Sequence, residues 1–238
     1  MNTDPHIASV FDRDLEAVQA LVMRMGGLVE QATLDVARAL ETRDEELARR
    51  VLQGDRAIDA LEAQVHEECA RVIALRQPTA ADLRIVLSVL KVAASLERMG
   101  DYAKNIAKRT SVLAQFTPIE GTGGTVRRMA KQVEQMLKDA LDAYIRRDAA
   151  LAADVRARDQ EVDQIYNSLF RVLLTHMLED PRHITACMHL HFIAKNVERM
   201  GDHATGIAEQ VIYLVTGEMP EEPRQKDDRT PFVASVND

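Results

Sequence analysis

The chain has 238 residues, a formal charge of −8, 46% hydrophobic but only 4% aromatic residues, and no Trp. Abundant Ala, Leu, Val, Glu, Arg and Met point to an all-helical protein with a sizeable core. The acidic balance argues against direct nucleic-acid binding, which needs basic patches, and no apolar run approaches the roughly 20 residues of a membrane span.

The opening, "MNTDPHIASVFDRD", lacks the charged and apolar regions of a secretory signal. A cytoplasmic protein is expected, with Cys69 and Cys187 as reduced, buried thiols rather than a disulfide. Apolar residues then recur at helical spacing along almost the whole chain, which predicts six long helices. The first runs from about Val10 to Thr42, with Val18, Leu21, Val22, Met25, Leu28 and Val29 on its inner stripe. Asp44 is placed to cap the second helix, and Glu45 and Glu46 favour the positive end of its dipole. That helix carries Val51, Ile58, Leu61, Val65 and Val72 and must stop before Pro78. Thr79 is expected to cap the third, with Asp82 close to a capping box; this helix fades near Gln115. "TPIEGTGGT", Thr117 to Thr125, has one proline and three glycines and reads as a linker. The plan then repeats. A fourth helix covers about Val126 to Ile145, Asp148 caps a fifth that runs to about Leu178, and Asp180 with Pro181 opens a sixth that ends near Thr216. The expected fold is therefore two tandem antiparallel three-helix bundles, 6–116 and 126–217, joined by the linker 117–125 and followed by a mobile polar tail, 218–238.

"ERMGD" occurs twice, Glu97–Asp101 and Glu198–Asp202, at an offset of 101 residues. Two further acid pairs at i and i+4 stand on the second and fifth helices: Asp55 with Asp59, and Asp159 with Asp163. Asp59 and Glu97 each lie 19 residues from Pro78, and Asp55 and Asp101 each lie 23 from it. An antiparallel hairpin with equal rise on both arms brings these four carboxylates to one level. Around Pro181 the levels of Asp159, Asp163, Glu198 and Asp202 agree to within one residue. Within their own helices, Asp101 can reach Arg98 or Lys104, Glu198 can reach Lys195, and Asp55 has no basic partner.

Like charges at this spacing repel by a few tenths of a kcal/mol per pair, so four together either raise some pKa values or bind cations. All-oxygen ligands suit Mg²⁺, Ca²⁺ or Mn²⁺, and also iron bridged by carboxylates. Spacing alone does not choose among these metals, and solvated helix faces remain the alternative. The chain has no Glu-x-x-His, the spacing on which ferritin-like di-iron enzymes depend. It also has no GxxxxGK[ST] loop and no CxxC. His189, His191 and His203 read as packing or surface groups rather than ligands. Gly100 and Gly201 each cost roughly 1 kcal/mol against alanine in mid-helix, and their missing side chains leave room beside the acids or let helices approach closely.

"SLERMGDYAKNIA", Ser95 to Ala107, and "NVERMGDHATGIAE", Asn196 to Glu209, resemble the twin signatures of the PhoU family of phosphate-transport regulators. "FDRDLEAVQALVMRMGGLVEQA", from Phe11, is similar to that family's opening helix, and "RQPTAADLR", Arg76 to Arg84, to its turn between helices 2 and 3. The resemblance covers about residues 6 to 216. One departure is visible: Gly206 stands in the second signature where Asn105 stands in the first. The resemblance implies two metal sites, Asp55, Asp59, Glu97 and Asp101 in one bundle and Asp159, Asp163, Glu198 and Asp202 in the other. Multinuclear iron or zinc is implied first, with manganese, magnesium or calcium as further divalent candidates. It also implies a non-catalytic adaptor between the ATPase subunit of a phosphate ABC transporter and a sensor histidine kinase. Such an adaptor restrains phosphate uptake and keeps the phosphate-starvation regulon off when phosphate is plentiful. A homodimer that meets the membrane only through its partners is expected. A di-metal carboxylate enzyme and a metal-free helical scaffold are the other readings of the acid clusters.

Overall fold

In the computed structural model, residues 5–220 are described, with side chains from 11 to 220. Helix α1 is Pro5–Thr42. It starts five residues before the expected Val10, and Pro5 suits a first helical turn because its missing N–H has no partner to lose there. Asp44 accepts the Leu47 amide at 2.8 Å and opens α2, Glu45–Arg76. Gln77 ends that helix in the left-handed region, with its amide donating to the Ile73 carbonyl at 3.1 Å. Helix α3 is Ala80–Leu113. Thr79 precedes it with extended backbone, but its side chain makes no capping bond, contrary to the capping box expected from sequence. The Asp82 amide instead donates to the Thr79 carbonyl at 3.1 Å.

Helix α4, Thr122–Arg146, starts four residues before the expected Val126. The Thr122 hydroxyl donates to the Ile119 carbonyl at 2.7 Å, and Gly121, at φ 75°, turns the chain into the helix. Gly123 lies against the end of α1, where a Cβ would come within 3.3 Å of the Glu41 Cα. This glycine therefore serves helix approach inside α4. Asp148 accepts the Ala150 and Leu151 amides, both at 3.0 Å, and opens α5, Ala149–Glu179. A 3₁₀ turn, Pro181–His183, follows Asp180 and leads into α6, Ile184–Thr216. Gly217, at φ 86°, closes α6. The tail expected from 218 falls outside the described residues from 221 onward.

In the first half α2 packs against α1 and α3, and in the second α5 packs against α4 and α6. The halves join along α1–α4 and α3–α6, and the buried apolar side chains of all six helices form one contiguous core. Both seams are antiparallel. Glu41, near the end of α1, meets Gly123 at the start of α4, while Gly26 faces Leu141. On α3 and α6, Arg84 lies over the Tyr213 ring at 5.2 Å, Tyr102 meets His203 at 5.8 Å, and Arg109 reaches His189 at 3.3 Å. Tyr102 and His203 hold the same place in the two repeats, so a pseudo-twofold axis passes between them. Among the described residues no helix is long and apolar enough to cross a membrane.

Cys69 and Cys187 are free and buried. Burial, with the nearby Glu68 charge, pushes the Cys69 thiol up to about 11, and burial raises Cys187 above its ordinary value. Since the thiolate is the reactive form, a thiol reagent at pH 8 should label neither cysteine in the native protein and both once it is unfolded. Rapid stoichiometric labelling of the native chain would contradict this burial.

Candidate functional site

Gly100 sets the distance between α2 and α3. A Cβ there would come within 3.0 Å of Ile58 Cδ1 and 3.5 Å of Asp55 Oδ1, so its absence lets α2 bring Asp55 against the α3 backbone. Asp55 is only 4% exposed. Its Oδ2 is ion-paired with Lys104 Nζ, which also lies 3.6 Å from Asp101 Oδ1. The other oxygen, Oδ1, is buried and accepts no hydrogen bond. Asp59 lies on the exposed side of the same cluster. Partial desolvation and then the Asp55 charge raise its carboxyl above the ordinary value, against the pull of Lys104. Glu97 is half-buried, and its carboxyl is raised first by burial, then by Asp101 and Glu62. Arg98, mostly exposed, stands 3.7 Å from Glu97 and 3.8 Å from Asp101.

The hairpin thus brings Asp55, Asp59, Glu97 and Asp101 to one flank, but not in the expected pairing. Asp59 feels Asp55, Lys104 and Asp101, whereas Glu97 feels Glu62 from α2. The direction of the displacement follows from side-chain lean. Every helical side chain tilts toward its own N-terminus. On an antiparallel pair, side chains therefore meet when the α2 residue lies nearer the turn than its α3 partner.

The second cluster is deeper. Asp159 is 2% exposed, Asp163 1% and Glu198 2%, while Asp202 is half-buried. Gly201 repeats the role of Gly100, because a Cβ there would lie 3.4 Å from Asp159 Oδ1 and 3.5 Å from Val133 and Val162. Lys195 Nζ donates to Glu198 Oε1 at 2.9 Å and sits 5.0 Å over the Tyr166 ring. Each half therefore holds one lysine against its acids, but at different places in the repeat. The counterpart of Lys104 is Thr205, and the counterpart of Lys195 is Ala94. The Asp55–Lys104 contact spans two helices and 49 positions, so in-helix spacing gave no sign of it.

Among the described residues, no three His, Cys, Asp or Glu side chains converge as a metal-ligand set. In each cluster a lysine ammonium donates to carboxylate oxygens that a metal ion would need. As arranged, the eight acids do not fit a metal, and a bound divalent cation would require the lysines to withdraw and the carboxylates to turn. His203 packs on Tyr102, His189 contacts Arg109, and His191 lies between Tyr166 and Phe170. Each of these contacts is a packing or hydrogen-bonding role.

Known proteins share this fold. The chain matches the PhoU domain family twice, over residues 22–110 and 126–211. It is 45% identical over 240 residues to a protein of Rhizobium meliloti named phosphate-specific transport system accessory protein PhoU homolog, covering 98% of each chain. A Caulobacter vibrioides protein of the same name is 46% identical over 223 residues, with 94% of this chain and 97% of that one covered. The fold superimposes on the crystal structure of PhoU from Pseudomonas aeruginosa with a TM-score of 0.84 at 41% identity, covering 87% of this chain and all of that one. The phosphate transport system regulatory protein PhoU from Streptococcus pneumoniae gives a TM-score of 0.82 at 30% identity, over 89% of this chain and all of that one.

Proposed function

This chain belongs to the PhoU family, and we propose that it is a non-catalytic, cytoplasmic regulator of phosphate uptake and of the phosphate-starvation response. The observation that carries this reading is 45% and 46% identity, over nearly the whole chain, to proteins named as accessories of phosphate-specific transport. The acid clusters are consistent with it. In each cluster one buried carboxylate is paired with a lysine, Asp55 with Lys104 and Glu198 with Lys195, which suits a recognition or bracing role better than proton transfer. On this proposal the protein links the ATPase subunit of the phosphate ABC transporter to a sensor histidine kinase, meets the membrane only through those partners, and works as a homodimer. Iron or zinc at Asp55, Asp59, Glu97 and Asp101, or at Asp159, Asp163, Glu198 and Asp202, belongs to the proposal only for a form in which the lysines have left the carboxylates. No regulatory step is routed through it.

A deletion strain tests the role. Without this protein, phosphate-starvation genes should stay expressed in high phosphate, and re-supplying the gene should silence them. Full repression in the deletion strain would overturn the reading.

A further inference from the structure

A second charged site lies on the α3–α6 seam, with chemistry opposite to that of the acid clusters. Asn105, Lys108 and Arg109 on α3 face Phe192, Lys195 and Asn196 on α6 across a pocket of about 310 Å³. Both triplets follow the i, i+3, i+4 spacing that puts residues on one helix face. The lining holds three cationic groups and no carboxylate, in a chain whose net charge is −8.

These cations are incompletely neutralised. Arg109 spends its contacts on the Phe192 ring, at 4.5 Å, and on His189 Nδ1, at 3.3 Å. Lys108 is exposed and has no ion pair among the described residues. Lys104 lies one turn before it, and like charges at i and i+4 are destabilising. Lys195 is the exception, since it donates to Glu198 at 2.9 Å.

The internal duplication supplies a comparison. Across the pseudo-twofold, the matching positions are Gly206, Glu209 and Gln210 on α6 and Lys91, Ala94 and Ser95 on α3. There Glu209 is bonded to Arg156 at 3.1 Å and Gln210 is buried. The basic pocket is therefore not a by-product of the fold, because the mirrored place carries one cation, one acid, one amide and three small residues.

We infer that this pocket binds a phosphate group, supplied by inorganic phosphate or by a small phosphorylated molecule. Lysine and arginine N–H groups make short, charge-assisted bonds to phosphate oxygens. Asparagine amides both donate and accept, so the carboxamide oxygens of Asn105 and Asn196 can also accept a hydrogen bond from a phosphate hydroxyl, which sulfate lacks at neutral pH. Phe192 offers an apolar wall to an organic substituent. Lys195 belongs to the pocket and to the second acid cluster at once, so an anion that draws its ammonium away loosens its hold on Glu198. The regulatory meaning of that coupling rests on the function proposed above, whereas the binding does not.

The test is an NMR titration of the ¹⁵N-labelled full chain at constant ionic strength, with inorganic phosphate, sulfate and AMP as separate arms. Saturable shifts are expected at the amides of Asn105, Lys108, Lys195 and Asn196. Binding should weaken roughly tenfold or more in Lys108→Gln/Arg109→Gln, because two charge-assisted donors are lost. Asn105→Asp places a carboxylate on the exposed rim with little demand on folding, and should weaken binding as well. Saturation by phosphate assigns the free ion, and saturation by AMP alone assigns a phosphorylated small molecule. No saturable response to either, a sulfate response equal to that of phosphate, or binding unchanged in both variants would overturn the inference. The experiment uses neither partners nor cells, so its failure leaves the deletion-strain result standing, and the converse holds too.

Discussion

Lys104→Met should lower the stability of the protein by about 2–3 kcal/mol. Asp55 is 4% exposed and is ion-paired with the Lys104 ammonium. Removing one partner of a fully buried pair costs roughly 3–5 kcal/mol, because a desolvated charge is stranded. Lys104 itself is 32% exposed, so water enters where the ammonium stood and the loss falls below that range. A second substitution isolates the cause. Asp55→Leu in the Lys104→Met background removes the stranded charge and adds apolar volume near Leu28, Val51 and Ile58, which line the cleft beside Asp55. The double variant should recover to within about 1 kcal/mol of the parent, as apolar replacements of buried pairs often do. Urea denaturation at pH 7 reads both outcomes as midpoint shifts at constant slope. A single-variant loss below about 0.5 kcal/mol, the range of ordinary surface changes, would mean that Lys104 is not the counter-ion of this cluster.

The same variant separates two ways of neutralising the acids. The Asp55 bond, first among its causes, raises the Lys104 pKa above its ordinary 10.5. A raised lysine contributes its stability in full below pH 10.5 and loses it as pH climbs through the folded value. Its hold on Asp55 is therefore intact at neutral pH. Asp59 and Glu97 have the opposite consequence at neutral pH. Their raised carboxyls favour folding below the ordinary 3.8 and 4.5, and that benefit is gone once pH has risen through the folded values. Burial first, and then like charges, thus work against the ionised cluster at pH 7, and a divalent cation is an alternative remedy to the lysine. Added Mn²⁺ or Zn²⁺ should stabilise Lys104→Met by about 2.7 kcal/mol once the free metal is a hundredfold above its Kd, and the parent by less. Equal metal responses in the two proteins would show that the lysine does not compete for the site.

Local signals carried most of the fold. Asp44 and Asp148 cap helices because carboxylates at those places accept amides two or three residues on, and that chemistry is contained in a few adjacent residues. Thr79 carries the same local signal, yet its side chain caps nothing, and the Thr79 carbonyl takes the Asp82 amide. Gly123 read as linker because a glycine run gives no hint that α1 would pass within touching distance. The four acids of the first cluster were legible through their distance from Pro78, since helical rise is uniform. Their pairing was not, because it depends on side-chain lean in two facing helices. The partnership of Lys104 with Asp55 was further out of reach, and so was the basic pocket on the α3–α6 seam. Both exist only once helices from distant parts of the chain are laid together, and the pocket straddles the seam between the repeats that the linker separates in sequence.

Tyr144→Ala should cost about 3–5 kcal/mol and remove stability from both halves of the molecule together. Tyr144 is fully buried in α4, with the Arg147 guanidinium 5.4 Å from its ring centre. Gln19 of α1 and Cys69 of α2 both lie within electrostatic reach of its hydroxyl, so the side chain projects from the second half toward the first. Truncation leaves a large cavity where two helices of different repeats meet, and close packing there limits collapse. For a chain of this length the melting temperature should fall by roughly 10 °C, at about 2–4 °C per kcal/mol. The two thiols make the shared core measurable, since Cys69 reports on the first half and Cys187 on the second. With one continuous core, both should become reactive at the same, lowered denaturant concentration in Tyr144→Ala, and both should track the loss of helical circular dichroism. If Cys187 became exposed while Cys69 stayed protected, the repeats would be separate cooperative units, and the α1–α4 seam would be a contact between domains rather than part of a common interior.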